Sequence, residues 1–320
     1  MESNEGFDKY FKLLSDKNSE FYIEEQEFEH ELIEGHSVEF LRYKNMLFPN
    51  IIKNIHTVKH LKLRSDDTFV IGYPKSGTTW TEEIVWLLQH NLDFEKAKSI
   101  RHFERVLYID TGLSKGKLRE LEEAKDTRVF KSHLPIEYLP DNLNELSKVI
   151  YVERNPKDML VSLYNFKKSL IFSRFTGSFD LMVDHFVNNK LWFGPWWEHI
   201  NKYHKIPGIF IVQYEDLLQN PVEIIKSMSE YLGKDYSIEE IKKLIEFTTI
   251  DKMRENPSFK LDWIFVDEDN SKQKFNFFRK GQIGNWTEYF NDDLSMKVDQ
   301  VIKDKVSPCI KFKYFSNESN

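Results

Sequence analysis

The stretch Gly72-Tyr73-Pro74-Lys75-Ser76-Gly77-Thr78-Thr79-Trp80 combines glycines, hydroxyls and a lysine. Backbone N–H groups in such a turn can cradle an anion, and a following helix reinforces them with its dipole. Compared with the nucleoside triphosphate P-loop, Gly72 and Gly77 keep their separation and Thr79 keeps a hydroxyl, but Thr78 stands where that loop has its lysine. The lysine has moved to position 75, from which it can still reach a bridging or leaving oxygen. A Mg²⁺-dependent kinase would also want a carboxylate at a strand end to help hold the metal, and Asp216 is the obvious candidate. Further along, Lys131 and His133 are separated by one residue, and Arg154 and Tyr214 each follow an apolar run. His133 has the chemistry of a general base, because imidazole titrates near neutrality and can take a proton from an attacking hydroxyl.

These residues need elements to position them. From Thr68 onward, short apolar runs alternate with amphipathic stretches, which predicts βαβ units and a mostly parallel sheet. Thr68-Phe69-Val70-Ile71 is followed by a helix over about Thr78 to His90, with Trp80, Ile84, Leu87 and Leu88 near helical spacing. Val129-Phe130 ends in Lys131-Ser132-His133, and residues 148–152 end in Glu153-Arg154 before a helix opened by Asn155-Pro156. Gly208-Ile209-Phe210-Ile211-Val212 ends in Gln213-Tyr214-Glu215-Asp216. Ligands of an open parallel sheet sit outside the carboxyl ends of its strands. Lys75, Lys131, His133, Arg154 and Tyr214 would therefore share one edge, which indicates an anionic ligand.

The rest of the chain sets limits. Net charge is −7, against wholesale attraction to nucleic acid or anionic membrane, so basic groups at the strand ends stand out from the overall trend. Aromatic residues make up 15%, with 26 Phe and 14 Tyr, enough to line an apolar pocket as well as a core. Cys309 is the only cysteine, which forbids an intramolecular disulfide and suits a reducing, cytoplasmic compartment. No segment approaches the roughly 20 apolar residues of a membrane span. With no repeat and no linker, the expectation is one α/β domain over 63–320, its mostly parallel central sheet flanked by helices. Residues 1–62 are expected to pack on it as helical or irregular decoration.

At the loop 73–80 the chain resembles the cytosolic sulfotransferases, whose 5′-phosphosulfate loop has this form. Lys131-Ser132-His133-Leu134-Pro135 resembles the family's catalytic Lys-Thr-His-Leu-Pro. Tyr151 through Asp158 and on to Ser162 resembles its 3′-phosphate segment, and Arg279-Lys280-Gly281-Gln282-Ile283-Gly284-Asn285-Trp286 its closing loop. The resemblance runs from about Asp66 to Phe290. It implies a transferase that moves a sulfuryl group from 3′-phosphoadenosine 5′-phosphosulfate (PAPS) to a hydroxyl by in-line attack, leaving adenosine 3′,5′-bisphosphate.

By the same resemblance, Lys75, Ser76, Gly77, Thr78 and Thr79 bind the phosphosulfate, while Trp80 stacks on adenine. Arg154, Ser162, Arg279, Lys280 and Gly281 hold the 3′-phosphate. Tyr214, Thr248, Met253 and Phe277 complete the nucleotide site, with Ile250 where relatives carry an aromatic. His133, Lys75 and Lys131 form the catalytic set. Sulfuryl transfer has one fewer charge to neutralise than phosphoryl transfer, so no metal is expected, and no cluster with metal-ligand spacing is present.

Acceptor-pocket candidates are Tyr108, Phe166 and Phe172, with Trp263 and Phe265 on a lid. Leu170 lies in the region where, by the resemblance, amine-preferring relatives carry an acid, which points to a small lipophilic phenol, steroid or other alcohol. Relatives' dimer motif is replaced by Thr287, Asn291-Asp292 and Met296, so a monomer or a different interface is expected. A nucleotide kinase is the alternative from the loop alone, but it leaves His133, Arg154, Ser162, Arg279 and Lys280 without a purpose. A non-catalytic nucleotide-binding scaffold would have no need of Lys75, Lys131 and His133 together.

Overall fold

The computed structural model describes residues 28–52, 55–111, 126–171, 173–260 and 277–315. In chain order, β1 (Glu29–Glu31), β2 (Phe40–Tyr43) and β3 (Met46–Phe48) make a small antiparallel sheet. β4 (Thr68–Gly72), β5 (Val106–Tyr108), β6 (Val129–Ser132), β7 (Lys148–Glu153) and β8 (Phe210–Gln213) form the central sheet, in the order β5-β6-β4-β7-β8. Every pairing in it is parallel, with Thr68 facing Val129 on one side and Lys148 on the other.

The period-2 pattern of the strands divides the core in two. Phe69, Ile71, Phe130, Val149 and Tyr151 pack on one face with the N-terminal sheet, whereas Val70, Val129, Ile150, Val152 and Val212 pack on the other. Burial on both faces is why these strands read as continuous apolar runs. A buried Arg128–Asp67 fork, with N–O distances of 2.6 Å and 2.5 Å, pins the start of β4 beside the start of β6.

β4 lies between β6 and β7, so the chain leaves it towards one edge and later crosses to the other. That switch point opens a crevice beyond the strand's carboxyl end, where the loop 73–77 begins. The helix that follows spans Thr78–Gln89, and the helix after β7 spans Pro156–Ser169, capped by Asn155 accepting from the Lys157 N–H.

Two expectations change. Residues 28–48 are not helical or irregular but carry the antiparallel sheet, whose Phe40, Leu41, Leu47 and Phe48 are fully buried against the main core. Strands of three and four residues are too short for the alternation that a sequence reading relies on. β8 begins at Phe210 rather than Gly208, because Gly208 has φ 75, a left-handed conformation outside the strand region.

Candidate active site

The loop after β4 is made by close backbone approach. A Cβ on Gly72 would stand 2.5 Å from the Val152 carbonyl oxygen of the neighbouring strand. Gly77, with φ 100, caps the helix Thr78–Gln89, and a Cβ there would meet the Tyr214 ring at 2.4 Å. Lys75 also takes a positive φ, 71. Its ammonium lies 4.1 Å from the Phe166 ring centroid and 4.4 Å from that of Phe277. Burial first, and then the charges of Lys131, Arg154 and Arg279, bring the Lys75 pKa down to about 7. An arriving anion would reverse the second cause.

His133 is held from three directions. Its Nδ1 is 2.6 Å from the Gly72 carbonyl oxygen, its backbone N–H donates to Asp110 Oδ2 at 2.7 Å, and its carbonyl accepts from His199 Nε2 at 3.1 Å. A carbonyl oxygen only accepts, so Nδ1 carries the proton and Nε2 keeps its lone pair. Burial, followed by the neighbouring Lys131, holds the His133 pKa well below the ordinary imidazole value, which leaves the ring neutral. Tyr108 and Phe193 flank it edge-on at 5.4 Å and 5.6 Å.

Asp110 is fully buried and accepts from Ser132 Oγ at 2.6 Å as well as from His133. Ser132 Oγ in turn accepts from Leu134 N–H at 3.0 Å, so one carboxylate organises the whole turn after β6. Lys131 reaches across it. Its Nζ is 3.4 Å from Thr79 Oγ1 and 2.9 Å from Glu82 Oε1, on the helix that follows the glycine loop.

Arg154, at the end of β7, stacks on Tyr214 at 4.3 Å, donates to the Gln282 carbonyl at 3.1 Å, and leaves a buried Nε unpartnered. Trp80 meets Tyr214 edge to face at 5.8 Å, and its buried Nε1 is likewise without a partner. Unpartnered donors beside an open cavity fit an anionic, ring-bearing ligand. Lys280 is drawn towards Asn285 and Glu288, at 3.0 Å and 2.9 Å. Asp216, the carboxylate a kinase would use, pairs with Lys313.

One cavity of about 720 Å³ joins these groups. Its wall carries Lys75, Gly77, Thr78, Thr79, Trp80, Lys131, His133, Arg154, Ser162, Tyr214, Thr248, Met253, Phe277, Arg279, Lys280 and Gly281, together with Tyr108 and Phe166. Ser76 does not line it: its side chain is buried. Leu170 is fully buried in the core rather than on the wall, so it does not select among acceptors through contact. Phe172, Trp263 and Phe265 lie outside the described residues.

Sequence reasoning missed Asp110, Glu82, His102 and Ser258. Among 52 acidic residues a single Asp or Glu carries no local signal, and only the fold places Asp110 at His133 and Glu82 at Lys131. Among the described residues no group of three or more His, Cys, Asp or Glu is arranged to hold a metal ion.

Known proteins resemble the chain throughout this region. A family model described as "Sulfotransferase domain" matches residues 65–309. Sulfotransferase 1E1 of Bos taurus is 33% identical over 261 residues, covering 79% of this chain and 88% of the bovine protein. Sulfotransferase 1E1 of Homo sapiens is 31% identical, covering 80% and 88%. A crystal structure of retinol dehydratase in complex with androsterone and inactive cofactor PAP superposes with a TM-score of 0.73 at 25% identity, covering 87% of this chain and 92% of that one. With a family model over residues 65–309 and a relative 33% identical over 79% of the chain, the chain belongs to the sulfotransferases.

Proposed function

We propose that the cavity binds 3′-phosphoadenosine 5′-phosphosulfate and a small lipophilic alcohol together, and that His133 is the general base for transfer between them. The single observation that carries this reading is the fixed tautomer of His133, a neutral imidazole with its Nε2 lone pair uncommitted, beside Lys75 and Lys131 on the wall of one cavity. The neighbour solved with androsterone and PAP supports both a lipophilic acceptor and an adenosine bisphosphate site.

The fit to the donor rests on this chain's own groups. Gly72 and Gly77 let the loop pack directly against Val152 and the Tyr214 ring, Arg154 Nε and Trp80 Nε1 await partners, and Lys75 stands between aromatic rings without a carboxylate among the described residues. When bound, the donor supplies an activated sulfuryl group on a phosphate leaving group. His133 Nε2 takes the acceptor's hydroxyl proton as its oxygen attacks in line. Lys75 and Lys131 neutralise charge on the departing oxygen, an interaction strongest in the transition state. Arg154, Ser162, Arg279, Lys280 and the Gly281 N–H orient the nucleotide through its 3′-phosphate, with Trp80, Tyr214, Thr248, Met253 and Phe277 around the base.

With lysines placed to neutralise the leaving group, the reading calls on no metal. It includes a cytoplasmic location, consistent with the exposed, unpaired Cys309, and a monomer or a dimer through a surface other than Asn291 and Asp292. No helix among the described residues is long and apolar enough to cross a membrane.

The test is transfer of radiolabelled sulfate from the donor to a panel of phenols, sterols and lipophilic alcohols, with EDTA present. Turnover that survives EDTA and disappears in His133→Ala supports the reading. Tight binding of the donor with no turnover across the panel would refute the catalytic part of it.

A further inference from the structure

One wall of the cavity holds polar groups that neither the donor nor His133 uses. Glu82 lies one turn beyond Thr79 and is 1% exposed, and among the described residues its nearest partner is the Lys131 ammonium at 2.9 Å. Neither of its carboxylate oxygens has a hydrogen bond of normal geometry. Its Oε2 is 3.6 Å from His102 Nε2, which is itself buried without a hydrogen-bond partner. Ser258 Oγ is a further buried atom in the same condition, one residue before Phe259, whose ring stacks on His102 at 4.7 Å. Glu82, His102 and Ser258 all line the cavity.

Folded proteins leave few buried polar atoms unsatisfied, so several on one wall of a ligand cavity mark where a ligand completes the set. The chemistry narrows the ligand group. A carboxylate only accepts, so the incoming group must donate to Glu82. A ketone or ether oxygen has no proton to give. An ammonium could donate, but the Lys131 ammonium already sits at 2.9 Å on that carboxylate and would repel it, and an ammonium cannot accept from Ser258. Burial, with the charges of Arg105 and Lys131, keeps His102 neutral, so its ring offers a weak partner of either sense rather than a charge. A hydroxyl donates and accepts at once.

The place of the subsite follows from Lys131, which touches Glu82 on one side and Thr79 of the glycine loop on the other. The wall is therefore next to the transfer centre, within reach of the molecule that presents its other hydroxyl to His133. We propose that Glu82, His102 and Ser258 form a polar subsite for a second hydroxyl of the acceptor, so that the preferred acceptors are lipophilic diols rather than mono-alcohols. This rests on the sulfotransferase reading of the cavity and adds the class of its acceptor.

The test compares matched acceptors that differ in the second group alone: 4-tert-butylcatechol with 4-tert-butylphenol, and 5α-androstane-3α,17β-diol with androsterone, whose 17-position is a ketone. The full-length chain is expected to favour at least one diol by about tenfold or more in kcat/KM, since a site built to hydrogen-bond a hydroxyl rejects the analogue lacking it. Glu82→Gln touches Lys131 and will alter kcat, so the readout is the diol to mono-alcohol ratio within each variant. That ratio is expected to collapse in Glu82→Gln and to fall about threefold in the milder Ser258→Ala, with thermal melts confirming that both variants fold.

Equal handling of both members of both pairs, or ratios that survive both substitutions, would overturn the proposal. So would a preference for an amine-bearing analogue over the diol. Binding of adenosine 3′,5′-bisphosphate by calorimetry separates the two levels. If it binds and mono-alcohols are sulfated without a diol preference, the subsite alone is refuted; if it does not bind and nothing is turned over, the underlying reading fails.

Discussion

His133 Nδ1 lies 2.6 Å from the carbonyl oxygen of Gly72, a contact that joins the end of β6 to the end of β4. The same glycine opens the anion loop, and a Cβ there would strike the Val152 carbonyl. Base and anion loop are thus registered on one peptide group, and a shift of β4 against β6 would move both. His199 completes the frame. Its Nδ1 faces the Tyr151 hydroxyl at 2.8 Å and its Nε2 faces the His133 carbonyl, so it donates to that carbonyl and accepts from the tyrosine.

In the proposed role, His133→Ala is expected to lower kcat by about 10² to 10⁴, the usual range for a general base, while adenosine 3′,5′-bisphosphate binds within about twofold of the parent. Rapid-quench turnover together with calorimetry checks both halves. Because burial holds the His133 pKa well below the ordinary imidazole value, its acid limb in kcat/KM should lie below that range as well. An activity loss centred on the ordinary imidazole pKa that vanishes in the mutant would contradict this.

On the proposed mechanism, Asp110 would act on the reaction only through the turn it holds. Asp110→Asn keeps one acceptor and loses the other, so either Ser132 Oγ–H or the His133 N–H goes unmatched. A fall in kcat of about 10² is expected from misplacing the imidazole, with little change in bisphosphate binding. Burial raises the Asp110 pKa to about 7. The folded state therefore holds the proton more tightly than the unfolded chain does. Its contribution to stability is fully present below the ordinary carboxylate pKa and is lost as pH rises through about 7. Asp110→Asn should accordingly flatten the decline in melting temperature from pH 5 to pH 8, a change that mere damage to packing would not produce.

Lys75 predicts the pH dependence of donor binding. With a pKa lowered to about 7, mainly by burial, much of this lysine is neutral above neutrality in the free protein. An anion favours the ammonium, so binding takes up a proton above pH 7 and affinity falls as pH rises, by up to about tenfold per unit. Calorimetry of adenosine 3′,5′-bisphosphate in buffers of different ionisation enthalpy measures that uptake. In Lys75→Met the uptake should disappear and the affinity become flatter with pH.

Much of this site was legible because its residues are tied to local backbone features. A glycine loop between an apolar run and a helix, and basic groups after later runs, can be recognised without knowing which strands are neighbours. What was not legible depends on neighbours. Asp110 follows β5, a strand of three residues too short to show a pattern, and it matters only because β5 pairs with β6 and brings the carboxylate beneath His133. Glu82 looks like an ordinary helix glutamate until the sheet carries Lys131 across to it. Leu170 shows the converse error: the resemblance put it in a region expected to line the acceptor pocket, but the chain turns it into the core.

Gly77 offers a test of the loop that does not depend on any catalytic assignment. At φ 100 an alanine is in a region that L-residues rarely adopt, and its Cβ would stand 2.4 Å from the Tyr214 ring, which is itself packed under Arg154 at 4.3 Å. Neither partner can yield cheaply, because Tyr214 is buried and opens the helix after β8. Gly77→Ala should therefore cost about 1 to 3 kcal/mol of stability through backbone strain, with the displaced Tyr214 adding to it. Movement of Tyr214 and Arg154 should also weaken adenosine 3′,5′-bisphosphate binding by at least about tenfold, measured on protein shown to be folded by its melting curve. A conservative pair separates the causes: Tyr214→Leu in the Gly77→Ala background relieves the clash but not the strained φ. Recovery of stability without recovery of binding would show that the aromatic ring, rather than loop geometry, is what the nucleotide needs, whereas recovery of neither would place the whole cost in the backbone.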